Sequence, residues 1–127
     1  MTTPEKSGFR CISPAEAVAM IHADATSTVF DVRDLVSYKQ GHVDGAAHLT
    51  EQRLALWLPR LPKDTPLLIY CYHGNASQTY AQMFSDFRFT RVFSVDGGYA
   101  PLAVALAEAA SAAGTEPVSR QTATSAC

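Results

Sequence analysis

The chain reads as an α/β protein, a parallel sheet sandwiched between layers of helices. Three observations predict this. Pro66-Leu67-Leu68-Ile69-Tyr70 is the most strand-like run, and the segment behind it, Gln78 to Phe87, carries apolar residues at helical spacing. Thr28-Val29-Phe30-Asp31-Val32 and Arg91-Val92-Phe93-Ser94-Val95 are further strand-like runs, and each is followed by a helical stretch. Strands that alternate with helices imply parallel pairing with both faces of the sheet covered.

The elements follow in order. Residues 1–7 read as a flexible N-terminus, and Phe9-Arg10-Cys11-Ile12 as a short strand. Ser13-Pro14-Ala15-Glu16 supplies an N-cap, a proline at the first helical position and a glutamate at the third, a capping box that opens a helix through about Ala23. Its face is Ala17, Val18, Met20 and Ile21. The strand Thr28 to Val32 ends in the charged group Asp31, Arg33 and Asp34, where open α/β sheets place functional groups. For Asp31 and Arg33 the alternatives are a buried ion pair or turn cap, and direct participation in chemistry.

A helical piece around Leu35 to Lys39 leads to Gly41-His42-Val43-Asp44-Gly45, turns before a brief strand. Thr50 caps a helix through Leu58, with Leu54, Trp57 and Leu58 facing inward and Pro59 and Pro62 beyond its end. After the strand Pro66 to Tyr70 and a helix from Ser77 to Phe87, the strand Arg91 to Val95 turns through Asp96-Gly97-Gly98-Tyr99 into a helix from Pro101 to Ala110. Residues 111–127 shift to Ala, Ser, Thr and Gly and read as a disordered tail, leaving residues 8–110 as one domain.

Composition narrows the function classes. A chain of 127 residues with 47% hydrophobic and 17% charged residues suits one globular domain. A formal net charge of −2 gives no reason to expect nucleic acid or an anionic membrane as partner. There is no apolar run of membrane-spanning length and no signal-peptide core, so a cytoplasmic location is expected. Cys11, Cys71 and Cys127 are neither a disulfide framework nor spaced like a zinc motif.

The stretch that carries chemistry is Tyr70-Cys71-Tyr72-His73-Gly74-Asn75-Ala76-Ser77, a strand-to-helix turn. There free backbone N–H groups and a helix N-terminus favour negative charge on a sulfur, and Gly74 and Asn75 tolerate the positive φ that turns N–H groups inward. A cysteine ending a buried strand is often plain core, but the polar, glycine-containing turn after Cys71 argues for a nucleophile. His73 either tunes that sulfur or points to solvent. His42 and His48 order turns rather than bind metal, and Tyr72 and Tyr99 wall the pocket or pack in the core.

Asp31-Val32-Arg33, Tyr38, Gly41-His42-Val43, Gly45-Ala46 and His48 resemble the first rhodanese signature, and Asp96-Gly97-Gly98-Tyr99 the second, with the Cys71 loop between them. The resemblance, to the single-domain thiosulfate sulfurtransferases of that family, covers residues 8–106. It implies a three-layer sandwich with a five-stranded parallel sheet. It also implies transfer of sulfane sulfur from thiosulfate to cyanide, small thiols or thioredoxin-like dithiol proteins through a Cys71 persulfide, without a metal or organic cofactor. Tyr72, His73, Gly74, Asn75, Ala76, Ser77 and Arg33 are then the substrate-binding residues. Ala76 stands where the family often has a hydroxyl or Arg, with Ser77 as a substitute beside it, and Leu102 replaces a common tryptophan.

The loop holds no Lys or Arg, so weak thiosulfate binding is expected, and a short neutral loop should leave the sulfur accessible. A phosphatase or arsenate reductase would want an arginine closing the loop, where Ser77 stands. A persulfide carrier for a partner protein is the rival of a different class.

Overall fold

A computed structural model describes residues 8–112; the expected flexible N-terminus and most of the expected tail, with Cys127, lie outside the described residues. The elements are β1 (Arg10–Ile12), α1 (Pro14–Ala23), β2 (Thr28–Asp31), α2 (Leu35–Gln40), β3 (Ala47–His48), α3 (Glu51–Trp57), β4 (Leu67–Tyr70), α4 (Ala76–Asp86), β5 (Val92–Val95) and α5 (Tyr99–Ala112). They form one five-stranded sheet in the order β1-β5-β4-β2-β3, parallel throughout.

β4 lies at the centre and is buried along its whole length. Its alternate side chains still divide between the two faces, as the strand pleat requires. Leu68 and Tyr70 join Val29, Val95, the α1 residues Ala17 and Val18 and the α5 residue Leu102. Leu67 and Ile69 join Phe30, Val92, the α3 residue Leu54 and the α4 residues Ala81 and Phe84. The three layers expected from the alternation of elements are therefore present.

The helix starts follow the side-chain signals. At α1, Ser13 Oγ accepts from Glu16 N–H at 3.1 Å while Glu16 Oε1 accepts from Ser13 N–H at 2.8 Å, the capping box in full. At α3, Thr50 Oγ1 accepts from Arg53 N–H at 3.2 Å. α5 begins at Tyr99, earlier than the proline at 101 suggests, and runs through Ala112. A proline in the first turn costs no hydrogen bond, because those N–H groups have no helical partner. Among the described residues, no helix is long and apolar enough to cross a membrane.

Candidate active site

Cys71 directly follows the central strand, and the backbone there is held from both sides. The Tyr70 hydroxyl donates to Asp31 Oδ2 at 2.6 Å and accepts from Val43 N–H at 3.1 Å. The Cys71 carbonyl accepts from Tyr99 N–H at 2.8 Å. Burial pushes the Tyr70 hydroxyl far up, with the Asp31 hydrogen bond adding to it, so it stays a donor.

The loop then curls around the sulfur. Gly74, at φ +100°, donates its N–H to Cys71 Sγ at 3.1 Å. Asn75 does not use the positive φ expected of it: at φ −95° it already has helical backbone, because α4 starts at the next residue. Nor does its side chain cap α4. The N–H groups at this helix start are thus left to face the sulfur. Ser77 Oγ lies 3.4 Å from Cys71 Sγ, which supplies the hydroxyl that Ala76 lacks.

These contacts decide the state of the thiol. Burial pushes the Cys71 thiol up, but the Ser77 hydroxyl and the backbone N–H groups of Ser77, Gly74 and His73 outweigh it and hold the thiol below the ordinary cysteine value. The sulfur is not open, however: Cys71 is 3% exposed, so the short neutral loop shields the resting thiol rather than presenting it. Among the described residues, Cys71 is the free cysteine.

The Asp96–Tyr99 turn is the bed on which this loop lies. A Cβ on Gly98 would sit 2.0 Å from the Tyr72 carbonyl oxygen and 2.6 Å from the His73 nitrogen, and one on Gly74 would sit 3.0 Å from the Gly97 nitrogen. Backbone passes over backbone here, and glycine alone leaves the room.

Arg33 stands away from the sulfur's hydrogen-bond shell. Its guanidinium is paired with Asp31 at 2.7 Å and donates to the Gly41 carbonyl at 2.6 Å, with Arg33 7% exposed and Asp31 fully buried. The ion-pair alternative describes Asp31 and Arg33. The guanidinium carbon lies 4.0 Å from the Tyr99 ring centre and 5.8 Å from that of Tyr72. Tyr72 is half-exposed, and its hydroxyl bonds to Ser37 Oγ at 2.5 Å and to Asp34 Oδ1, which ties the loop to the start of α2. The Ser37 hydroxyl in turn holds the Asp34 carboxyl below its usual range.

His73 and Asn75 are exposed, and His73 lends the site its backbone N–H. His42 Nδ1 meets the Tyr38 carbonyl at 2.8 Å and His48 Nε2 the Arg33 carbonyl at 2.6 Å, so both order turns as expected. Among the described residues, no group of three His, Cys, Asp or Glu side chains is arranged to hold a metal ion. Sequence reasoning missed Ser94, whose hydroxyl lies 2.8 Å from that of Ser77 and is buried with it. The available signal was a lone serine inside the apolar strand Val92-Phe93-Ser94-Val95.

Both signatures thus meet at one buried, anion-favouring cysteine. The sequence profile of the rhodanese-like domain matches residues 13–103. The chain belongs to the rhodanese-like family. It is 38% identical over 93 residues to the thiosulfate sulfurtransferase GlpE of Tolumonas auensis, a match spanning 73% of this chain and 87% of that one. With the thiosulfate sulfurtransferase GlpE of Pseudomonas entomophila it shares 40% identity over 93 residues, 73% of this chain and 84% of that one. The crystal structure of a rhodanese-related protein from Thermoplasma volcanium superposes with a TM-score of 0.59 at 26% identity, covering 71% of this chain and 86% of that one. The rhodanese-like parallel sheet expected from the two signatures is the sheet observed.

Proposed function

We propose that this chain is a thiosulfate sulfurtransferase that carries sulfane sulfur as a persulfide on Cys71. The carrying observation is the Cys71 sulfur itself, which faces N–H groups from a loop and a helix start and lies 3.4 Å from the Ser77 hydroxyl. In the first step the Cys71 thiolate attacks the outer sulfur of thiosulfate, the sulfur–sulfur bond breaks, and sulfite leaves with the bonding pair. The persulfide's terminal sulfur carries the negative charge, which the same donors stabilise. In the second step cyanide, or a thiolate in the cell, bonds to that terminal sulfur and regenerates the Cys71 thiolate. A disulfide-type bond of about 2 Å carries the transferable sulfur outward from the buried Sγ, which answers its 3% exposure.

Tyr72, Gly74, Asn75 and Ala76 line the approach in this reading, and His73 and Ser77 add donors. Arg33 contributes a fixed cation behind the Tyr72 and Tyr99 rings, largely neutralised by Asp31. A dianion therefore meets mainly N–H dipoles, and binds weakly. A Michaelis constant for thiosulfate in the low micromolar range would contradict this. Small thiols and thioredoxin-like dithiol proteins fit as acceptors, and the reading places the enzyme in the reducing cytoplasm. The test is intact mass spectrometry before and after thiosulfate, with Cys71→Ala alongside. One added sulfur, lost on addition of cyanide and absent from Cys71→Ala, is expected. No adduct would overturn the assignment, and discharge to a specific protein but never to cyanide would recast the enzyme as a carrier.

A further inference from the structure

Ser94 belongs to neither the cysteine loop nor the helix that starts from it. It is the third residue of β5, on the side of the strand that faces α4, and it is 1% exposed. Its hydroxyl lies 2.8 Å from Ser77 Oγ, which is itself fully buried and 3.4 Å from Cys71 Sγ. The three side chains make a chain of polar atoms inside an apolar layer. Two directions are open to the protons along it, and they do not serve a thiolate equally.

A buried hydroxyl that fails to donate loses a hydrogen bond with nothing in exchange. The 2.8 Å contact lets either hydroxyl donate, but Ser77 is the hydrogen-bond partner of the Ser94 side chain among the described residues, so donation from Ser94 to Ser77 is the direction that leaves no proton unused. The Ser77 oxygen then accepts from Ser94, and its own proton is free to point at Cys71 Sγ. In the opposite direction the Ser77 proton would go to Ser94 and leave the sulfur without it. A thiolate can only accept, so the first direction is the one that stabilises it.

We infer that Ser94 is a positioning residue: its hydroxyl donates to Ser77 Oγ and so orients the Ser77 proton onto the Cys71 sulfur. The inference rests on Cys71 acting as the nucleophile of the proposed function. The charged and titratable groups on the neighbouring segments are His73 on the loop, Asp96 beyond β5, and Arg33 and Asp34 beyond β2. Among the described residues, none of His73, Asp96, Arg33 or Asp34 hydrogen-bonds to either serine hydroxyl. A change made at Ser94 therefore reaches the sulfur through Ser77.

The experiment is the pH profile of Cys71 alkylation by iodoacetamide, followed at the Cys71 peptide by mass spectrometry, with thermal unfolding as a check on the fold. Ser94→Ala should move the profile to higher pH and slow alkylation near neutral pH roughly three- to tenfold, the effect of one hydrogen bond on a charged acceptor. Ser94→Thr, which keeps the hydroxyl on a strand that accepts β-branched residues, should restore it. In a Ser77→Ala background, Ser94→Ala should shift the profile no further. A folded Ser94→Ala with the parent profile, or one whose shift persists without Ser77, overturns the inference. Because no sulfur donor is involved, a shifted profile in a protein that takes no sulfur from thiosulfate would sink the proposed function and leave the role of Ser94 standing.

Discussion

Replacing Gly98 by alanine tests whether the second signature exists to seat the cysteine loop. Gly98 lies at φ +81°, and its Cβ would fall 2.0 Å from the Tyr72 oxygen, 2.2 Å from the Tyr72 carbonyl carbon and 2.6 Å from the His73 nitrogen. Those atoms are backbone, so no side chain can swing aside. Restoring ordinary contact at roughly 3.5 Å moves the Tyr72–His73 peptide by more than about 1 Å. That peptide carries the His73 N–H that helps to hold the thiolate. Gly45 is the matched control, since its φ is +84° but a Cβ there meets nothing within 4 Å. Gly45→Ala should cost about 1 kcal/mol of stability for the left-handed backbone and leave transfer intact. Gly98→Ala should cost about 2–4 kcal/mol, the same backbone term plus overpacking. It should also lower kcat/KM for transfer from thiosulfate to cyanide on the order of 10²-fold, as a misplaced catalytic group does. The assays are urea denaturation and the rate of thiocyanate formation. If Gly98→Ala matched Gly45→Ala in both, the loop would not depend on that bed.

Asp31→Ala should destabilise the fold by about 3–5 kcal/mol in urea denaturation, because it strands the buried Arg33 guanidinium and the Tyr70 hydroxyl; a loss under 1 kcal/mol would show that water compensates them. Arg88, at φ +76° after α4 and exposed, occupies a left-handed position that glycine takes freely, so Arg88→Gly should raise stability by about 0.5–1 kcal/mol; a loss would show that its side chain contributes more than the backbone strain costs. The depressed Cys71 thiol predicts a pH dependence of known sign: its thiolate forms as pH rises through a value below the ordinary one, so transfer should increase with pH and level off before about 8.5. A rate still climbing well above that pH would mean that burial, not the donors, dominates.

Much of this was readable in the residues. Ser13 with Glu16 and Thr50 announced their helices, and both caps form as their chemistry requires. The two signatures pointed to the loop that holds the candidate site, and Ser77 beside Ala76 was visible as a second hydroxyl position. Other features depended on partners distant in sequence. The order β1-β5-β4-β2-β3 brings Ile12 beside Val95 and Asp31 beside Tyr70, pairings that no local periodicity contains. Ser94 read as one residue of a strand because its meaning lies in α4 packing over it. The shielding of Cys71 was illegible for the same reason, since a loop's length does not say what it lies against.

The departures from ordinary local rules collect in one place. Asn75 is a strong capping residue that does not cap, and Gly74, Gly97 and Gly98 all take positive φ where the cysteine loop and the Asp96–Tyr99 turn pass each other. Ser77 and Ser94 are fully buried hydroxyls in a layer otherwise built of Phe84, Ala81, Val92 and Ile69. The uncapped helix start and the two buried hydroxyls are locally unfavourable, and their consequence falls at the sulfur, where they leave or aim donors. A capped α4 would satisfy its own first turn and offer Cys71 less; apolar residues at 77 and 94 would pack as well and leave the thiol protonated by its burial. The residues at the end of β4 thus favour a negative charge inside the core, and the proposed persulfide cycle would draw on that arrangement twice, for the thiolate and for the charged product.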